Sequence, residues 1–404
     1  MGRTLLHGVR VADFTWAWAG PYGTMLLALM GAEVIKIESA RRLDHTRVRS
    51  LAAGPTFGGP DHAWIFNELN LNKRSITLDL GQPKAVELIK RLVKVCDVAV
   101  QNFRPGVMDR LGLGYSSLKE VKPDIIMLSS SAVGGTGPER EYVGFAPTFS
   151  ALSGLAHITG FPDSPPIPVM GSSDLRSATA GAFAILVAIY HRAVTGEGQH
   201  IDMSSRETIT ALIGESILEY AMNQRSPYRQ GNRDEAMAPH NCYPCRGENK
   251  WVSIAVGTEE EWQALCEAMG NPPWAKEDRF SDAYARWHNQ EELDRLIAEW
   301  TINHTHYEVM DKLQKANVAA IPSFRGDELF SDPHLKERGL FQVVEHPLLG
   351  KRTVTGPPWK LSSNGASISR HGPLLGEHNR YVFCELLGLS PEEVERLVAE
   401  KVIY

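Results

Sequence analysis

Asp174 stands at the head of an apolar run, in Gly171-Ser-Ser-Asp-Leu-Arg-Ser177, and a carboxylate in that place has two uses. Leu175, Ala178, Ala182, Ile185, Leu186 and Ile189 follow at helical spacing, so a helix begins near Ser172 or Ser173 with Asp174 in its first turn. An aspartate there complements the positive end of the helix dipole, an effect of about 0.3–1 kcal/mol that needs no function. The same helix end keeps a carboxylate ionised, and an ionised carboxylate is a nucleophile for acyl transfer. The small residues Ala178, Ala180, Gly181 and Ala182 leave room beside this helix for something bulky. On pattern alone both readings stand.

Basic and polar groups cluster elsewhere. Arg41, Arg42, Arg47 and Arg49 follow one strand-like run, and Asn70-Leu-Asn72-Lys73-Arg74-Ser75 precedes another. Gln101-Asn102-Phe103-Arg104-Pro105-Gly106 follows a third, with Arg110 one helical turn later. Ligands of open α/β sheets bind outside the carboxyl ends of the strands. Positive groups in such loops suit an anionic ligand such as a nucleotide phosphate, although a solvated surface loop has the same composition. Asn102-Phe103 is more informative, because a polar–aromatic pair directly after a buried strand is suited to hold a base or an amide. His157, His191, His200 and His240 have no metal-ligand spacing, and no metal site is expected. Cys242-Tyr-Pro-Cys245 has the spacing of a metal knuckle or redox pair, but no second such pair completes it, so structural thiols on a strand are expected. There is no GxSxG, no P-loop and no GxGxxG after the first strand.

The elements that must position these residues alternate. Strand-like runs at 9–14, 33–38, 75–80, 97–100 and 124–128 are interleaved with helical segments from Gly20 to Leu29 and from Pro83 to Val95. That alternation predicts a parallel sheet of Rossmann type. A smaller α+β region follows about residue 225. It has strands at 251–256 and 318–322 and a capping box, Thr258-Glu-Glu-Glu261, ahead of a helix. Near the C-terminus Ser390, Pro391 and Glu393 mark another helix start. The expected organisation is a large Rossmann-like domain over 1–210, a small α+β domain over 225–330 and a return to the large domain over 335–404.

Composition narrows the functional classes. The chain has 404 residues, is 43% hydrophobic and 22% charged, and carries a net charge of −6. An acidic balance argues against a nucleic-acid partner held by a general basic surface. No window approaches the eighteen or so consecutive apolar residues of a membrane span, and no membrane partner is expected. Five cysteines, few and odd in number, fit a reducing compartment, and with no apolar signal core at the start the expected location is cytoplasmic.

Taken together the motifs resemble the family III CoA-transferases, the group of formyl-CoA transferase and carnitine CoA-transferase. Val11-Ala-Asp-Phe-Thr15 with Ala19-Gly-Pro21, then Gly31-Ala-Glu-Val-Ile-Lys-Ile-Glu38, match the family's opening. Asn72-Lys-Arg-Ser75, Asn102-Phe-Arg-Pro-Gly106, Asp174, Arg192 with Thr195-Gly-Glu-Gly-Gln199, and Leu375-Gly-Glu-His378 follow in the family's order. The resemblance runs from about residue 5 to the C-terminus. It implies a Rossmann-like large domain with a small domain and an interlocked dimer whose active site is shared between subunits and domains. It implies Asp174 as nucleophile: attack on a donor thioester gives a mixed anhydride and CoA thiolate, the thiolate returns to form an aspartyl-CoA thioester, and an acceptor carboxylate collects the CoA. It implies that Ala17, Trp18 and Ala19 line the CoA site and that Asn72, Lys73, Asn102, Phe103, Arg104 and Arg110 surround the CoA. CoA and its thioesters are then substrates, and no permanently bound cofactor is implied.

Three departures refine this. The glycine-rich loop of oxalate-using members is replaced by Gly231-Asn-Arg-Asp-Glu-Ala-Met-Ala-Pro-His240, so their substrate pocket does not carry over. Ser39 stands where the family places an arginine after the strand-ending Glu38, which leaves adenosine contacts to Arg41 or Arg42. The related α-methylacyl-CoA racemases carry a histidine where this chain has Phe145 in Gly144-Phe-Ala146, and a phenyl ring moves no proton. Tyr142-Val-Gly-Phe-Ala-Pro-Thr-Phe-Ser150 resembles members that pair succinyl-CoA with dicarboxylates or arylsuccinates. With Trp16, Trp18 and Phe145 nearby, an aromatic acceptor such as benzylsuccinate fits as well. The alternatives are a racemase-type epimerase or one subunit of a heteromeric CoA-transferase, in place of a homodimer.

Overall fold

The computed structural model describes residues 4–50, 54–55, 58–169, 171–363 and 365–404, and the side chain of Arg49 lies outside the described residues. The chain folds as two compact units. One comprises Met1–Ala156, Pro168–Ser226 and His334–Tyr404, and the other His157–Ile167 with Pro227–Pro333.

In the first unit β1 (Arg10–Asp13) leads into α1 (Ala19–Leu29), and β2 (Glu33–Glu38) returns beside β1 with Val11 opposite Val34. β3 (Arg74–Thr77), α2 (Pro83–Lys94), β4 (Val98–Gln101) and β5 (Ile126–Ser131) follow. Next come α3 (Ala146–Leu152), the long α4 (Gly171–Thr195), β6 (His200–Ser204), α5 (Ser205–Ala211) and α6 (Gly214–Asn223). The strands form one six-stranded sheet, β3-β2-β1-β4-β5-β6, parallel throughout. This is the doubly wound order in which the winding reverses between β1 and β4, and the crevice at that reversal is where such sheets bind ligands.

The sheet forms because its strands can be buried on both faces. Ala12, Ile35, Ile76 and Ala99 join Leu88, Ile89 and Leu92 of α2 in one core. Val11, Val34, Val98 and Ile126 join Leu26 and Leu27 of α1 and Ile185 of α4 in the other. All four residues of β4 are buried, as a central parallel strand requires. β6 is absent from the sequence expectation for a physical reason. It is an edge strand in which polar, exposed His200 and Asp202 alternate with Ile201 and Met203, so it has no apolar run.

α4 bears on two expectations. By length and composition it is apolar enough to cross a membrane, with a mean hydropathy of 1.3 over its best window, although no unbroken apolar run reaches that length. Its small residues also do not leave room for a bulky neighbour. Ser173, Ser177, Ala178, Gly181 and Ala182 are buried, and their smallness is consumed in close packing. A Cβ added to Gly23 of α1 would lie 3.0 Å from the Ala178 carbonyl oxygen, and one on Gly181 would lie 3.1 Å from Leu128.

In the second unit β7 (His240–Pro244), β8 (Trp251–Ala255) and β9 (Ala319–Pro322) form an antiparallel sheet in the order β9-β8-β7. α7 (Glu259–Ala268), α8 (Gln290–Thr301) and α9 (His306–Lys315) complete its core around Val252, Ile254, Leu265, Ile297 and Leu313. The Thr258–Glu261 capping box forms as expected. Cys242 lies in β7 and Cys245 follows it, and all five cysteines are free. Burial pushes the Cys245 thiol up to about 11, which makes it inert. The chain then adds a hairpin, β10 (Phe341–His346) and β11 (Gly350–Thr355), and ends with α10 (Pro391–Ala399), capped by Ser390 and Glu393, to the first unit.

Candidate active site

The loop from β1 to α1 lies at the reversal point of the sheet, and side chains hold almost every polar group of its backbone. Asp13 Oδ1 accepts from the Thr15 N–H at 2.9 Å. Lys36 Nζ donates to the Thr15 carbonyl at 2.7 Å. Asn102, directly after β4, accepts from the Trp16 N–H and donates to the Trp16 carbonyl, both at 2.8 Å. Asp44 Oδ1 accepts from the Ala17 N–H at 3.2 Å. The result is a left-handed Ala17 with φ of 62°, a conformation that a residue with a Cβ keeps only where its surroundings over-determine it. Trp18 and Ala19 then start α1, and Gly20 is packed so closely that an added Cβ would meet Thr15 at 2.4 Å.

Beneath this loop lies a charge network that no sequence pattern announced. Asp13 and Lys73 are fully buried, with Lys73 Nζ 2.9 Å from Asp13 Oδ2. Lys73 also donates to Thr24 Oγ1, the Pro21 carbonyl and Asn70 Oδ1. Burial would raise the Asp13 carboxyl, but Lys73, Lys36 and the Thr15 donors outweigh it and hold it below the usual carboxylate range. Burial lowers Lys73 to about 8 against the attraction of Asp13. Lys36 and Asp44 form a second buried pair at 3.1 Å.

These contacts relocate several residues singled out above as CoA contacts. Lys73, with no exposed surface, offers nothing to a phosphate. Asn72 is spent on the C-terminal segment, donating to the Ser367 carbonyl and accepting from the Ser369 and Arg370 N–H groups. Asn102 is spent on Trp16. Arg41 pairs with Asp79 at 2.9 Å and lies against the Tyr404 ring, whereas Arg42 lies over the Trp16 ring at 4.9 Å. Arg47 is buried and bound in bidentate fashion to Glu38. Phe103 and His45 both meet Trp16 edge-on with ring centres 5.7 Å apart. Arg104 and Arg110 are exposed, and Arg104 donates to the Glu141 carbonyl. The crevice thus has an aromatic floor at Trp16 and Phe103 with Arg42 against it.

Asp174 is in the first turn of α4, on the same row as Ser177, Ala178 and Gly181. Those three residues and Ala19, Gly20 and Gly23 of α1 line one small cavity. Among the described residues no hydrogen-bond or ion-pair partner of the Asp174 carboxylate is found. Burial alone pushes its carboxyl up to about 6. The expectation that the helix end holds this group low is therefore corrected: desolvation prevails, and the group is still roughly ten to one ionised at pH 7. Ser172 Oγ in the same turn and Trp18 Nε1 at the start of α1 are buried without partners among the described residues. Arg192 is about 27 Å away along the helix axis, pairing with Asp97 at 2.7 Å, and so belongs to the fold. Phe145 directly precedes α3 and is 65% exposed.

A third loop at the carboxyl ends of the strands was not singled out in the sequence. After β5, Ser131 Oγ accepts from the Gly134 N–H, and Asp202 accepts from the Gly135 N–H at 2.9 Å. Gly134 has φ of 90°, which favours glycine. The signal was present as Gly134-Gly-Thr-Gly137 directly after a strand. Among the described residues no group of three or more His, Cys, Asp or Glu is placed to hold a metal ion.

Comparison with known proteins gives the family. The profile of CoA-transferase family III matches residues 6–379. The chain is 37% identical over 401 residues, 98% of both chains, to the succinyl-CoA–D-citramalate CoA-transferase of Chloroflexus aurantiacus. It is 35% identical to the succinyl-CoA:mesaconate CoA-transferase of Haloarcula hispanica, covering 96% of this chain and 98% of that one. The crystal structure of a CAIB/BAIF family protein from Brucella suis superposes with a TM-score of 0.85 at 30% identity, covering 95% of this chain and 100% of that one. With its doubly wound sheet and a match spanning nearly its whole length, the chain is an enzyme of CoA-transferase family III.

Proposed function

We propose that the enzyme moves CoA from succinyl-CoA to a dicarboxylic acid acceptor through an aspartyl-CoA thioester on Asp174. The observation that carries the reading is the Asp174 carboxylate, desolvated and without a partner among the described residues yet largely ionised at neutral pH. Such a group is a stronger nucleophile than a solvated or paired one. It attacks the thioester carbonyl and expels CoA thiolate, leaving a mixed anhydride. The thiolate attacks the Asp174 carbonyl of that anhydride and releases the donor acid as its carboxylate. The acceptor carboxylate then attacks the aspartyl thioester, and the expelled thiolate takes the new acyl group and frees Asp174. Bonds broken and formed balance, and no outside reagent is consumed. Ser172 Oγ–H and Trp18 Nε1–H, donors without partners among the described residues, suit the developing oxyanion. Arg42, Phe103, Arg104 and Arg110 with the Ala17–Ala19 turn are the proposed CoA contacts, and the relatives' names support a dicarboxylate acceptor. Phe145 in place of a histidine disfavours racemisation.

The test is transfer from succinyl-CoA across mono- and dicarboxylic acids, with hydroxylamine trapping read by mass spectrometry. Dicarboxylate turnover with a hydroxamate on Asp174 is expected. Activity confined to monocarboxylates overturns the acceptor class, and a trapped adduct elsewhere overturns the mechanism.

The quaternary proposal has its own support. Phe183, Val187, Tyr190 and Val194 form a row along α4 and are 68, 50, 73 and 69% exposed. An apolar row of that size calls for a cover, and we assign it to a second copy of the chain in an interlocked dimer. Sedimentation of the purified chain tests this: a monomer that is inactive until a related subunit is added favours the heteromeric form. The free cysteines fit a reducing, cytoplasmic location.

A further inference from the structure

We propose that Asn102 and the buried Lys36–Asp44 pair are positioning residues of the active site, whose task is to hold the Thr15–Ala17 backbone in the one conformation that presents Trp18 and the α1 N-terminus to the substrate. The kinetic part of this inference rests on the CoA-transferase reading above, and the conformational part does not.

The geometry carries it. Asn102 uses both ends of its amide on Trp16. Lys36 and Asp44 are 0 and 2% exposed, so neither can touch a ligand, yet one holds the Thr15 carbonyl and the other the Ala17 N–H. Three elements (β2, the segment after it, and the loop after β4) therefore converge on three consecutive residues. A left-handed alanine is the product of that convergence. An ordinary strand-to-helix turn needs no such set of buried side chains, and satisfying a loop backbone with paired charges is a costly way to gain stability. It is an effective way to fix geometry, because a misplacement of about 1 Å in a binding group slows a reaction by about a hundredfold.

The test uses the full chain in three forms: Asn102→Ala, Asn102→Asp and the paired Lys36→Met/Asp44→Leu, which leaves neither charge of that pair buried alone and removes both of its holds on the loop backbone. Two quantities are read: amide hydrogen exchange in the 14–20 segment, and single-turnover formation of the Asp174 adduct from succinyl-CoA. Asn102→Ala and the paired variant are expected to lose about tenfold or more in protection and in adduct rate, with thermal midpoints near that of the parent. Combining them is expected to add less than about threefold, because both act on one loop. Asn102→Asp keeps the acceptor for the Trp16 N–H and is expected to recover part of both losses. Parent-like protection in Asn102→Ala overturns the proposal. So does a paired variant with parent-like adduct rate beside an impaired Asn102→Ala, which would make Asn102 a direct ligand contact. If the paired variant does not fold, the two Asn102 variants decide. If the parent forms no adduct at all, the functional reading fails and the exchange data still decide the positioning role.

Discussion

Two aspartates of the same unit, Asp13 fully buried and Asp174 partly so, meet opposite fates. Asp13 ends β1 and is fully buried, with donors from Thr15, Thr24 and Lys73 around both oxygens. Its carboxyl is held below the usual range. Asp174 opens α4, has no partner among the described residues, and is pushed up to about 6. Burial acts on both in the same direction, and partners alone reverse its sign. A carboxylate surrounded by donors is a structural anchor whose lone pairs are committed, whereas a desolvated one without donors keeps them free for attack at some cost in stability.

The largest expected effect separates the two by function. Asp174→Asn should lower turnover by at least about a thousandfold and abolish the trapped adduct, since the nucleophile itself is lost. Residual adduct in that variant would break the contrast.

The second effect separates them by stability. Asp13→Asn leaves Lys73 buried against a neutral group and should cost about 3–5 kcal/mol in urea unfolding, whereas Asp13→Leu with Lys73→Met should cost less than either alone. A smaller effect has the opposite sign. Asp174→Asn should stabilise the protein by about 1–3 kcal/mol at pH 7.5. The folded carboxyl titrates near 6, above its unfolded value of 3.8. The stability linked to that group is therefore complete below about pH 4 and lost as the pH rises through 6. The gain in the variant should fade as pH falls toward 4. By the same logic, adduct formation in the parent should fall on the acid side with a midpoint near pH 6, and a midpoint near 4 would show that desolvation is not the controlling term.

The smallest effect concerns the exposed rim of the crevice, in contrast with its buried base. Arg42→Ala removes the guanidinium over Trp16. It should raise KM for the CoA thioester by a few-fold, about 0.5–1 kcal/mol, with kcat little changed. The paired Arg41→Ala should do less, because Arg41 is engaged with Asp79 and Tyr404.

Much of the molecule was legible in the sequence, because periodicity and capping are local. The alternation from Val11 to Leu128, the Thr258 and Ser390 helix starts and the placement of Asp174 in a first turn follow from residue spacing alone. The family follows from motif order. What only the tertiary structure decided is which polar groups are spent. Lys73, Asn72 and Asn102 have the chemistry of ligand contacts, but residues distant in sequence fold onto them: Asp13, the 367–370 segment and Trp16 take their hydrogen bonds. The small residues of α4 looked like space and are contact, because their depth against α1 and β5 is set by the sheet. The carboxyl of Asp174 looked like a low one at a helix end and is a raised one, because desolvation depends on what packs around a group and not on its neighbours in the chain.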